Sequence, residues 1–210
     1  MNIDELYRIA DEAVKEEELR GTDIPAIDLY VDQIINLVSD KNSQSSDRYS
    51  DKQLTKTMIN NYSKDGVITP VKGKKYTKEQ IVQILTVYTL KNTLSIGEIK
   101  RLLEGAYAIE GYDGNALVET YDKYIDLKVK NRDMSKKILG EVMEQYGLDI
   151  NNERDFMLIV GSLLSLSGFL RNTAQAMIDE QYPVSTDADE KAEKEKAKKE
   201  KKKKKNDKSE

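Results

Sequence analysis

"NNYSKDGVITPVKGKKYTKEQI", residues 60–81, carries Lys64, Lys72, Lys74, Lys75 and Lys78 against Asp65 and Glu79, in a chain of 210 residues whose formal net charge is -4. The stretch is also strongly punctuated. Gly66 closes one segment of helical periodicity, Pro70 and Gly73 mark a turn, and Thr77 followed three residues later by Gln80 forms a capping box that opens another helix. Helix, turn, helix is the pattern from which the rest follows.

Toward the N-terminus, Ser50 with Gln53 makes a second capping box and predicts a helix over 50–65 whose apolar side is Leu54, Met58, Ile59 and Tyr62. Toward the C-terminus, the helix after Thr77 carries Ile81, Ile84, Leu85 and Tyr88. A third box, Ser95 with Glu98, opens a short helix with Ile96, Ile99, Leu102 and Leu103. Only 67–76 remains for anything extended, and Pro70 with Gly73 predicts a small hairpin or wing there. Placed on a wheel at about 100° per residue, the 50–65 helix turns Gln53, Lys56, Thr57, Asn60 and Lys64 away from its apolar side, with Asn61 at the margin. Amides, a hydroxyl and cations are the groups that meet base edges and phosphates. A solvated helix face has the same composition; the adjoining turn with Lys72, Lys74 and Lys75 tips the reading toward DNA. Tyr62 is either a core aromatic with its hydroxyl at the edge or a phosphate contact.

The longer segment "LTKTMINNYSKDGVITPVKGKKYTKEQIVQILTVYTLKNTLSIGEIKRLLE" resembles the winged-helix DNA-binding domain of MerR-type regulators. Tyr62 stands four residues before Gly66, Val67 and Ile68 precede Pro70, and Lys74 lies in the wing. Tyr76 and Thr77 follow, then Ser95, Ile96, Glu98, Ile99, Leu102 and Leu103. Asn60 and Asn61 depart from the Arg and second Tyr of that family, and the loop before the recognition helix is unusually long. The resemblance implies a regulator of double-stranded DNA with helix 50–65 in the major groove and the wing over 69–76 on the backbone. "IPAIDLYVDQI" leading into "LTKTMINNYSKDGVI" is also similar to a bacterial family known as domain of unknown function 1836, which implies no activity.

The chain has neither Cys nor His, so disulfides, thiolate nucleophiles, imidazole bases and the commonest transition-metal ligands are excluded. No metal, cofactor or enzymatic activity is expected. Carboxylates such as Asp113 and Glu119 fall on solvated faces and have no activated nucleophile beside them. The opening "MNIDELYRIADEAVKEEELRG" is acidic and amphipathic, unlike a secretory leader, which gives a cytoplasmic expectation. Charge is uneven: residues 1–47 hold 4 bases and 12 acids, whereas 48–80 hold 8 bases and 3 acids.

The expected fold is therefore mainly α, a MerR-like winged helix-turn-helix domain followed by an all-helical C-terminal region and a disordered Lys/Glu-rich tail. Residues 1–21 form an acidic amphipathic helix with Ile3, Leu6, Tyr7, Ala10 and Val14 on one side. Residues 25–105 form the DNA-binding domain, beginning with a helix from Pro25 to near Lys41 on Ile27, Val31, Ile34, Ile35 and Val38. In the helical region 106–182, Leu117, Tyr121, Tyr124 and Ile125 start a stretch that Lys128 and Arg132 interrupt before Ile138, Leu139, Val142 and Tyr146 resume it. "FMLIVGSLLSLSGFL", 156–170, is uncharged but shorter than a membrane span. It predicts a buried part of a helix from Glu153 to near Gln181, with a homodimer contact through 153–181 and no membrane partner. The tail 183–210 is expected to be disordered and to bind polyanions without specificity. The alternative function is a protein-interaction module of winged-helix fold without DNA-binding activity.

Overall fold

In the computed structural model, which describes residues 3–46 and 53–184, the elements are α1 (Ile3–Val14), β1 (Leu29–Tyr30), α2 (Val31–Asn42), α3 (Lys56–Lys64) and β2 (Lys75–Tyr76), then α4 (Lys78–Leu90), α5 (Ile96–Tyr107), α6 (Gly114–Tyr146) and α7 (Glu153–Gln181). The mainly helical expectation holds. The most enclosed element is α4, whose Ile81, Val82, Ile84, Leu85 and Val87 are all buried, because a helix apolar on most sides must be surrounded. Its start is the predicted one: Thr77 Oγ1 accepts from Gln80 N at 3.3 Å and Gln80 Oε1 accepts from Thr77 N at 2.9 Å. The Ser95–Glu98 box opens α5 in the same way, with distances of 2.6 and 3.2 Å.

Around α4 lies one core that runs from Leu19 to Ile125 and joins Ile34 and Val38 of α2, Ile59 and Tyr62 of α3, Ile99 and Leu103 of α5, and Leu117 and Tyr121 of α6. A second, smaller core joins Leu6 of α1, Leu139 of α6, Ile150 in the turn after α6, and Ile159 of α7. The two are bridged by α6, an unbroken helix of 33 residues, about 50 Å long. Lys128 and Arg132 do not interrupt it, contrary to expectation. Residues 15–20 run alongside α6, so Lys128 Nζ reaches Glu16 Oε2 at 2.5 Å and also pairs with Glu18, while Arg20 reaches Asp126 at 2.7 Å. Burial would lower the Lys128 pKa, but Glu18 and Glu16 together hold it above the ordinary lysine value.

Several local expectations are corrected. The helix expected from Pro25 begins at Val31 because Leu29 and Tyr30 are taken up by an antiparallel pairing, Leu29 with Tyr76 and Tyr30 with Lys75. For the same reason 67–76 is not a closed hairpin. Its first leg is satisfied by α4 side chains instead: Thr69 N donates to Gln83 Oε1 at 2.9 Å, and Gln80 Nε2 donates to the Thr69 and Pro70 carbonyls, each at 3.1 Å. The turn falls at Gly73, whose φ of 88° suits glycine. The described part of the 50–65 helix is α3, capped by Thr55 Oγ1 accepting from Met58 N at 3.2 Å. Ser50 lies outside the described residues, and Gln53 precedes the helix.

The largest correction concerns α7. The 156–170 run is mostly exposed, and along the whole helix only Ile159 and Ile178 are buried. Its N-terminal half leans on the smaller core, which covers one side alone. Its C-terminal end docks on α5 through Gln175 Nε2 to Glu98 Oε1 at 2.9 Å, Arg101 Nη2 to Asp179 Oδ1 at 2.7 Å and Arg101 Nη1 to the Tyr182 carbonyl at 2.6 Å. Gly105 admits this approach, since a Cβ there would overlap the Tyr182 ring. By length and composition α7 could cross a membrane, with a mean hydropathy of 1.3 over its most apolar window. The tail expected to be disordered lies, from residue 185 onward, outside the described residues.

Candidate nucleic-acid interface

The outer side of α3 forms one wall of a cleft of about 950 Å³, contributing Lys56, Asn60 and Ser63. The 66–74 loop forms the second wall and brings Lys74. The third is α5, with Lys100, Leu103, Glu104 and Tyr107. These walls converge because Ile59 and Tyr62 anchor α3 in the core, and Val67 and Ile68 do the same for the loop. Asp32 and Glu104 add two carboxylates to the lining.

All nine residues predicted to bind DNA are exposed, but they are not equivalent in position. Lys56, Asn60 and Lys74 line the cleft. Thr57, Asn61 and Lys64 crest the ridge of α3 beside it, as the helical spacing requires. Lys72 and Lys75 belong to the loop and strand that follow, and the Lys75 ammonium lies 5.0 Å from the centre of the Tyr30 ring. Gln53 is separated from the set: it borders another recess with Glu16, Glu18, Asn42 and Tyr88. A place on the helix face requires a helix that includes Gln53, whereas α3 starts at Lys56.

Among the described residues, Lys56, Lys64, Lys72 and Lys74 form no ion pair, whereas Lys128 and Lys136 are each held by two carboxylates. Lys100 is the cleft cation that the sequence did not single out. Its Nζ donates to the Asp65 carbonyl at 3.3 Å and lies 3.9 Å from Glu104. Only the tertiary fold, in which α3 and α5 both pack on α4, brings it there; a lysine on the exposed side of a predicted helix gives no such signal.

Beneath the cleft is a chain of hydrogen bonds. Gln83, 1% exposed, accepts from Thr69 N and donates through Nε2 to the Tyr107 hydroxyl at 2.8 Å, which in turn donates to Glu79 Oε1 at 2.6 Å. Burial, aided by that bond to Glu79, pushes the Tyr107 phenol well above its usual value, so it remains a neutral donor. The network fixes the loop against α4 and α5. Tyr62, by contrast, is a core residue: it is 5% exposed and its hydroxyl has no partner among the described residues. Burial, with a smaller effect of Tyr88, raises its pKa to about 12.

The cleft thus belongs to a mainly helical domain, cored between Leu19 and Ile125, with one two-stranded sheet among the described residues. The chain belongs to the family described as Domain of unknown function (DUF1836), whose model matches residues 19–124. The match is almost coextensive with the larger core and leaves α1, most of α6 and all of α7 outside it. The chain matches no curated protein and no solved structure.

Proposed function

We propose that this protein is a sequence-specific DNA-binding transcriptional regulator of winged-helix type, acting in the cytoplasm on double-stranded DNA. In this reading α3 enters the major groove, while Lys72, Lys74 and Lys75 sit on the flanking backbone. The observation that carries it is the gathering of exposed lysines without ion-pair partners among the described residues, Lys56, Lys64, Lys72 and Lys74, beside Asn60 and Thr57 in an acidic protein. A cation surface left unpaired suits a polyanion. The acidic N-terminal segment would repel DNA and confine contact to this side. A second reading is favoured by the absence of a closed wing hairpin among the described residues: a protein-interaction module of the same fold, with no DNA activity.

Salt titration on preferred and scrambled duplexes separates them. Removing one backbone lysine, as in Lys74→Ala, is expected to weaken all duplexes alike and to lower the salt slope by about 0.9. Asn60→Ala is expected to cost about 1–3 kcal/mol on the preferred site and little on scrambled DNA. Equal losses on both duplexes would make α3 a gripping helix without base readout. No salt-dependent binding by the unaltered protein would transfer the assignment to the interaction module.

A further inference from the structure

The unpartnered side of α7 has an order that its burial pattern makes visible. Glu153, Met157, Val160, Leu164, Ser167 and Arg171 recur at alternating spacings of four and three, and all six are exposed. Such spacing keeps residues on a single helical stripe. Met157 is 71% exposed and Leu164 69%, values out of place on a face meeting water alone. Beside the stripe, Gly161 and Gly168 have no atom within 4 Å of where a Cβ would stand, so another backbone can come close.

A lipid bilayer is a poor occupant. The uncharged run of 15 residues is about 22 Å long, short of the roughly 30 Å of hydrocarbon. Both ends of α7 are also tied to the same body, Ile159 to the smaller core and Asp179 to Arg101. Insertion would break one end free. Nucleic acid is excluded by the lack of cations along 156–170.

The stripe is complementary to itself in one orientation. Glu153 and Arg171 close its two ends, and neither has an ion-pair partner among the described residues. In a parallel pair, Glu153 would face Glu153 and Arg171 would face Arg171. In an antiparallel pair with its two-fold axis at residue 162, Glu153 meets Arg171 at both ends, Met157 meets Ser167, and Val160 meets Leu164. Large residues oppose small ones outside the centre. We infer that α7 is a self-association face on which a second copy of this chain packs antiparallel, with Glu153 of each copy against Arg171 of the other. The contact is isologous and closed, as a two-fold dimer requires. It is independent of the DNA-binding reading.

Sedimentation velocity on the full chain tests this. The unaltered protein is expected to be a dimer at tens of micromolar, and Leu164→Asp a monomer with an unchanged helical circular dichroism spectrum, because Leu164 supports no part of the monomer core. Glu153→Arg and Arg171→Glu should each weaken the dimer about tenfold, since each places like charges together at both ends. Mixing those two variants should restore association, because the mixed pair matches opposite charges at both ends. A monomeric unaltered protein, single variants that dimerise undiminished, or a mixture no tighter than its components would each overturn the inference. So would binding to uncharged phosphatidylcholine vesicles that Leu164→Asp abolishes, which would make the stripe a lipid face.

Discussion

Tyr62 is where the two readings of α3 part, because a phosphate ligand needs an accessible hydroxyl and a core residue does not. Its hydroxyl is buried without a partner among the described residues, which costs stability in the folded state. Tyr62→Phe removes that cost and is expected to leave stability unchanged or to raise it by up to about 1 kcal/mol, as urea unfolding would show. Duplex affinity should not move. A loss of salt-dependent affinity in Tyr62→Phe would return the residue to the binding surface. The core position was legible, since Leu54, Met58, Ile59 and Tyr62 share one helical side. Gln83 was not: it lies among the buried apolar residues Ile81, Val82, Ile84 and Leu85, and its partners Thr69 and Tyr107 are distant in sequence. No local pattern announces a buried amide that holds a loop.

At the level of elements, the helix starts show how far local chemistry carries. The boxes at Thr77 and Ser95 are formed as the residue types require, because a hydroxyl and a carboxamide or carboxylate three residues apart satisfy each other's backbone N–H groups. The start of α3 differs from the expected one because residues 53–55 are not helical and the Thr55 hydroxyl caps the helix at Lys56. The β1–β2 pairing was illegible for a different reason: two residues on each side carry no alternation, and the register depends on tertiary placement. Glu98 gives a pH test. The Ser95 backbone N–H, then the Ser95 hydroxyl and Gln175, favour its charged form and hold its pKa below the usual 4.5. A lowered carboxyl pKa stabilises the fold above the unfolded value, and that contribution is lost as pH falls from about 4.5 through the folded one. Glu98→Gln, which does not titrate, should therefore show a shallower loss of stability on the acid side of urea-unfolding profiles. Ser95→Ala should cost about 1 kcal/mol at neutral pH.

Across the whole molecule, charge served two purposes that composition could not separate. Lys128 lies on α6 where a sequence pattern sees an interruption, yet the acidic segment at 15–20 crosses that point and encloses it with Glu16 and Glu18. The acids that confer the negative net charge are partly structural there. On α5, Lys100 borders the cleft and its neighbour Arg101 holds the end of α7. Consecutive residues of one helix thus tie the two proposed surfaces together, with no linker between them. Two clefts joined through α7 would stand at a fixed distance and angle, and the protein would act as a ruler measured against the DNA helical repeat. Paired half-sites should bind cooperatively at one spacing, lose that cooperativity when about five base pairs are inserted, and regain it when about ten are. A flexible coupling would show no such periodicity in a footprint across the spacer series.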